Sequence, residues 1–248
     1  MLSSFRAELG GETLNRSLGA KGRPLLKILA AHRRRPIPRD ALIEMLWPEA
    51  EPSAGATSLK VAAHNLRRLL EPDKQAGAPG AWILFEQGTY RLNPDADVWI
   101  DVECLEQRAR QAKRFEATGD LAHARLEYEG VESLYAGDFL EEDIYEDWTI
   151  IRREQLRDVY LDVLGRLALL ARAQRDHAAV IRYCHKIVDA DPCREDAYRM
   201  LMEAHGALNQ NARAGAWYAV CRTMLQREIG TAPSHDTVDL FESLFAVN

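Results

Sequence analysis

Eighteen consecutive residues, Ser53 to Leu70 (SAGATSLKVAAHNLRRLL), constrain this chain more than any other stretch. At about 100° per residue, Leu59, Ala63, Leu66 and Leu70 fall on one stripe flanked by Ala62 and Leu69, so a helix here needs a core on that side. The opposite side carries Thr57, Val61, His64 and Arg68, with Lys60 and Arg67 on one flank, Ser58 and Asn65 on the other, and no acidic residue. A solvated helix face usually mixes both signs, because i,i+4 pairing and solubility favour it. A helix that reads the major groove of duplex DNA instead needs cations for phosphate, Asn or Arg for base edges and an apolar group for thymine methyls. This face has all three. The competing reading is a surface helix that is basic and binds nothing.

The charge distribution favours the first reading. The net charge of -6 conceals two halves of opposite sign. Residues 1–96 hold 14 Lys and Arg against 10 Asp and Glu, a balance of +4; the rest of the chain holds 18 against 28, a balance of -10. Only the first half is suited to meet a polyanion. The 47% hydrophobic and 28% charged content is that of a folded protein. Cys104, Cys184, Cys193 and Cys221 show no C-x-x-C spacing, which argues against a zinc knuckle or redox pair and for a reduced compartment. No apolar run reaches the roughly 18 residues of a membrane helix, and the polar start MLSSFRAELGGE lacks a signal-peptide core. The expected location is the cytoplasm, with no membrane contact.

Around the basic helix the chain reads as follows. Residues 5–18 alternate in short segments broken by Gly10-Gly11, consistent with small strands and a turn. Gly22-Arg23-Pro24 opens a first helix that buries Leu25, Leu26, Ile28 and Leu29 and ends at Arg33-Arg34-Arg35-Pro36, where cations suit the helix dipole or a phosphate. The stretch Gly19-Ala20-Lys21-Gly22 lacks the spacing and Lys-Ser/Thr of a phosphate-binding loop. Pro38 starts a second short helix, RDALIEMLW, which Pro48 stops. Arg39, at its start, is a candidate phosphate contact. The basic helix follows, ended by Pro72. After a loop with Gly77, Pro79 and Gly80, the run WILFEQGTYRL reads as a hairpin with Glu86-Gln87-Gly88 at its tip. Helix, helix, reading helix and hairpin make a winged helix.

These residues resemble the OmpR-type winged helix fused to a bacterial transcriptional activator domain, as in antibiotic regulatory proteins of the SARP type. The resemblance lies in PLLKILAAHRRRPIPRDALIEMLWPE, in the L-x6-L-R-R-L-L of Leu59 to Leu70, in the G-x-Y-R-L of Gly88 to Leu92 and in Asp97 to Asp101. It continues through Gly137-Asp138-Phe139-Leu140, Tyr145-Glu146-Asp147-Trp148 with Arg152, Asp191-Pro192 with Glu195, and Leu225 to Pro233. It implies DNA binding through the third helix and wing, dimers on direct repeats, and activation by contact with RNA polymerase. Two features depart from that pattern. The first strands are short, as in a piece of a longer regulator, and the wing tip is Glu86-Gln87-Gly88 rather than basic, which leaves Arg91 in the second wing strand as the wing's phosphate contact.

From Asp101 the pattern is helical. Gly119-Asp120-Leu121, Arg175-Asp176-His177 and Asn209-Gln210-Asn211 open similar segments, the last two 34 positions apart, the tetratricopeptide period. Ala122, Ala124, Ala178, Ala212 and Ala214 are small enough to let paired helices approach closely. The acidic group Glu141, Glu142, Asp143, Glu146 and Asp147 precedes a long amphipathic helix carrying Trp148, Ile151, Leu156, Tyr160, Val163, Leu164 and Leu167. With no histidine spaced to join them, these carboxylates read as a solvated face favourable to a helix N-terminus or as a protein-docking surface, rather than as a metal site. His185 and His205 read as packed or solvent-facing.

The fold class expected is an α+β winged helix over residues 1–96, followed by an all-α tetratricopeptide-like helical repeat domain over residues 97–248. The expected function is a sequence-specific activator that binds double-stranded DNA. Arg39, Lys60, Arg67 and Arg91 would hold phosphates; Thr57, Val61, His64, Asn65 and Arg68 would face base edges, with Ser58 on the flank of that face. No metal, cofactor or catalytic constellation is indicated. The alternative is an interaction adaptor that uses its helical repeats for a protein and its winged helix as a docking module.

Overall fold

A computed structural model describes residues 1–71 and 82–246. The chain divides into two compact units, one of Ser3–Asp101 with Met1 and one running from Val102 onward with Leu2.

In the first unit, β1 (Glu8–Leu9) and β2 (Glu12–Thr13) form a short antiparallel hairpin that turns at Gly10 and Gly11, whose φ values of 58° and 87° only glycine adopts easily. The first helix, α1 (Gly19–Ala31), begins three residues ahead of the Gly22 start read from the sequence. The reason lies upstream. Ser17 and Leu18 both donate to the carbonyl of Leu14, which delivers Leu18 in helical conformation with its side chain buried. Pro24 then sits inside the helix, one turn from its start, where its missing N–H costs a single backbone bond. Leu25, Leu26, Ile28 and Leu29 are buried as their spacing requires.

The next strand, β3 (Ile37–Pro38), is not legible as a strand because half of it is proline. It pairs with the second wing strand, Ile37 opposite Tyr90 and Pro38 opposite Thr89. Two helices follow, α2 (Arg39–Leu46) and α3 (Pro52–Leu70), the second opening with proline in its first turn. Gly55 lies so close to α2 that a Cβ there would fall 2.4 Å from Ile43 Cγ2. The expected wing is β4 (Ile83–Glu86) and β5 (Thr89–Leu92), antiparallel, in the sheet order β3-β5-β4. Gln87 and Gly88 turn with φ of 50° and 78°, the two-residue loop whose twist matches paired strands. The stop at Pro72 and the loop with Gly77, Pro79 and Gly80 lie outside the described residues.

The second unit is all helical among the described residues: α4 (Asp101–Ala117), α5 (Leu121–Leu134), a 3-10 turn (Glu141–Asp143), α6 (Asp147–Ala173), α7 (His177–Ala190), α8 (Glu195–Ala207), α9 (Asn211–Ile229) and α10 (His235–Phe245). The repeat seen in the sequence has a backbone counterpart. Gly119, Arg175 and Asn209 all adopt left-handed φ, of 80°, 57° and 58°. Each time, the following residue donates back to the helix just ended, Asp120 to Phe115, Asp176 to Ala171 and Gln210 to His205. Asp120 and Asp176 then cap the next helix by accepting from His123 N and Ala179 N. The tight position is the fourth after the cap, where Ala124, Val180 and Ala214 are buried; Ala122, Ala178 and Ala212 are exposed, so the small-residue expectation holds for two of five.

The segment between α5 and α6 is folded onto α6. Arg153 donates to the carbonyls of Phe139, Leu140 and Asp143 and to Thr149 Oγ1. Arg157 pairs with Asp138, which also accepts from the Tyr135 hydroxyl at 2.6 Å. Burial works against the Asp138 carboxylate, but these two donors hold it below the usual carboxylate range. Thus the Gly137-Asp138-Phe139-Leu140 motif is a structural clasp. His205 is buried with Nδ1 against Gln210 Oε1, and His185 packs on the Trp217 ring, both within the range of roles expected of them.

Candidate nucleic-acid interface

The stripe of α3 chosen for a core is the one that is buried: Gly55, Leu59, Ala62, Ala63, Leu66 and Leu70. Helix α3 packs through it on α1 and α2. This fixes what faces outward. Thr57, Lys60, Val61, His64, Asn65 and Arg68 are all exposed, and Ser58 is half-buried at their edge. Val61, an aliphatic side chain, is 54% exposed amid polar neighbours.

The cations divide by what they touch. Among the described residues, no carboxylate pairs with Lys60 or Arg68. Arg67 is half-buried, and its Nε donates to the carbonyl of Ile83 at 3.1 Å, so this side chain ties the helix to strand β4. Arg39 donates from its backbone to Gly88 O at the wing turn and pairs through Nε with Asp40 at 2.9 Å. Arg91 pairs with Glu86 at 3.2 Å, so the acid at the wing tip already neutralises the wing's cation. Both of these pairs are exposed, and such pairs contribute about 0–1 kcal/mol, little enough for a phosphate to displace the carboxylate. Arg67 and Arg39 both lie near the buried Tyr90 hydroxyl; burial raises its pKa and these two charges partly offset that.

Arg33 takes neither of the roles considered for it. Its guanidinium donates to the carbonyls of Val98 and Ala96 at 2.7 Å and of Pro94 at 3.3 Å, fastening the segment after the wing to the end of α1. For Arg33 this corrects the reading of a dipole or phosphate cation. Partners more than 60 residues away leave no local trace.

A cleft of about 380 Å³ runs beside the exposed face of α3, between it and the start of α1, with Thr57, Ser58, Val61 and Asn65 on one wall and Gly19, Lys21 and Trp47 on the other. Lys21 donates to the carbonyl of Leu46 at 3.0 Å and lies over the Trp47 ring. Sequence reasoning weighed Gly19 to Gly22 only as a phosphate-binding loop and so missed that Lys21 and Trp47 flank the exposed face of α3. The signal available was the lysine itself in an otherwise small and apolar stretch.

The sheet-flanked three-helix unit, with one acid-free helix face outward, defines a winged-helix regulator joined to a helical-repeat domain. Comparison with known proteins agrees. The family profile described as "Transcriptional regulatory protein, C terminal" matches residues 14–85, and that of the "Bacterial transcriptional activator domain" matches residues 100–245. The chain belongs to the bacterial transcriptional activator domain family and is a SARP-type regulator with an OmpR-type winged helix. It is 28% identical over 233 residues to regulatory protein AfsR of Streptomyces coelicolor and 26% identical over 250 residues to AfsR of Streptomyces griseus, alignments that cover 94% and 97% of this chain. It spans 22% and 24% of the length of those two relatives. Mycobacterium tuberculosis EmbR, solved in complex with a low-affinity phosphopeptide, shares the fold, with a TM-score of 0.81 at 23% identity over 99% of this chain and 64% of that one. Among the described residues, no group of three or more metal-ligating side chains assembles and no helix is long and apolar enough to cross a membrane.

Proposed function

We propose that this chain is a sequence-specific, DNA-binding transcriptional activator of the cytoplasm, with residues 1–96 as the DNA-reading domain and 97–248 as the activator domain. One observation carries the reading: the outward face of α3 presents Lys60, Val61, His64, Asn65 and Arg68 with no acid, while its opposite face is spent on the core. Lys60 holds phosphate, and so do Arg39 and Arg91 once their exposed carboxylate partners yield. Arg67 contributes charge from a position braced against β4. Thr57, Val61, His64, Asn65 and Arg68 face base edges, with Ser58 beside them. The Thr57 hydroxyl proton is committed to Ser53 O at 3.0 Å, so Thr57 offers the bases an acceptor and a methyl group. Family membership supports a homodimer on direct repeats that contacts RNA polymerase.

The test is a fluorescence-anisotropy titration against a randomised duplex pool, with sequencing of the bound fraction at two salt concentrations. Enrichment of a repeated motif, its halves about one helical turn apart, is the expected result. Salt-sensitive binding without enrichment removes sequence specificity. Absence of binding at both salts removes the DNA reading and leaves the adaptor.

A further inference from the structure

The periodicity of α6 groups Ile151 with Leu156, Tyr160 and Leu167, but only the last three are buried; Ile151 is 71% exposed. It belongs to a different stripe. Asp147, Ile150, Ile151, Glu154 and Asp158 recur at three- and four-residue spacing over the first three turns, and all are exposed. Just ahead of the helix Tyr145 is 91% exposed, and Ile144 and Ile150 are half-exposed. Single exposed apolar side chains are ordinary, but four large ones within eight residues are an apolar patch in search of a partner.

The charges around the patch say what kind of partner. The helix's own cations in this stretch are turned inward: Arg152 pairs with Glu106 at 2.7 Å, Arg153 binds the carbonyls of Phe139 and Leu140, and Arg157 binds Asp138. Glu146, Asp147 and Asp158 are left at the rim and, among the described residues, have no cation partner. A rim of this sign repels DNA and is complementary to lysine and arginine.

We propose that Tyr145, Ile150 and Ile151 dock into an apolar recess edged by lysine or arginine on RNA polymerase, the acidic rim steering the encounter. The inference rests on the activator reading and gives its second contact a place.

The test titrates the labelled full chain with purified bacterial RNA polymerase holoenzyme at two salt concentrations, and in parallel with its selected duplex. The variants are Tyr145→Ala/Ile151→Ala and Asp147→Lys/Asp158→Lys, all exposed positions, with thermal melts to confirm folding. The apolar pair is expected to weaken polymerase binding roughly tenfold or more, and the charge reversal about fivefold with a flatter salt dependence, neither altering duplex binding. Wild-type chain that fails to bind polymerase, or variants that bind it as wild type does, overturns the proposal. Sedimentation showing that the same substitutions abolish self-association reassigns the stripe to a second copy and also overturns it. Wild-type chain that binds polymerase but no duplex would remove the DNA reading and leave this surface standing.

Discussion

Helices α3 and α6 are both amphipathic, both carry at least three cations, and use them in opposite ways. In α6, Arg152, Arg153, Arg157 and Arg166 all turn toward protein, to Glu106, to the carbonyls of Phe139 and Leu140, to Asp138 and to Glu116. In α3, Lys60 and Arg68 turn outward and, among the described residues, have no carboxylate on them, while Arg67 is tied to the fold through Ile83. Counting cations would not separate the two helices. What separates them is where acceptors lie: α6 is surrounded by carboxylates and carbonyls of its own unit, whereas α3 packs its inner side with aliphatic groups and, among the described residues, offers Lys60 and Arg68 no carboxylate, which on the proposed reading leaves them for phosphate and base edges. The same principle predicts opposite consequences of mutation, structural loss in α6 and ligand-specific loss in α3.

The largest expected effect breaks the α6 side. Arg153→Met removes the four donor contacts that tie the clasp to α6, at a cost of about 3 kcal/mol in urea unfolding. Lys60→Ala in the same assay stays within about 0.5 kcal/mol. An equal loss from both substitutions would erase the distinction. Next, Gly55→Val drives a side chain into Ile43 and costs about 2 kcal/mol, read from the shift of the denaturation midpoint, because α2 and α3 have no room to part without exposing Leu59.

On the α3 side, Arg68→Ala should narrow the affinity gap between the selected duplex and random duplex by about 1–3 kcal/mol. If affinity for both falls equally, Arg68 is a phosphate contact and not a reader. The smallest effect sharpens the account of the helical repeats. Arg175 holds the left-handed φ of 57° that Gly119 adopts freely in the equivalent turn, so Arg175→Gly should raise the melting free energy by about 0.5–1 kcal/mol, while Gly119→Arg should lower it.

Much of this was readable from residue order. The two faces of α3, the wing, the leading hairpin and the repeat at Asp120, Asp176 and Gln210 all express local periodicity or turn chemistry, which a linear sequence carries openly. Features set by distant neighbours were not. Strand β3 exists because Tyr90 and Thr89 pair with Ile37 and Pro38, against what a proline announces locally. Arg33 reaches the carbonyls of Pro94, Ala96 and Val98, and Gly55 answers to Ile43 of another helix. Ile151 looked like core because the α6 pattern is broad, and only the packing of Leu156, Tyr160 and Leu164 decides which stripe faces inward. On the candidate site, exposure followed from periodicity, but the bracing of Arg67 on Ile83 and the pairing of Arg91 with Glu86 did not.

The central claim is that α3 meets duplex DNA through its outward face, with Lys60 held for phosphate, and the salt dependence of duplex binding tests it most directly. Binding constants for wild type and Lys60→Ala would be measured on the selected duplex across a range of salt concentrations. The account predicts a linear fall of log K with log salt for wild type and a slope smaller by about one for Lys60→Ala. A flat salt dependence, or a slope that Lys60→Ala leaves unchanged, would contradict it.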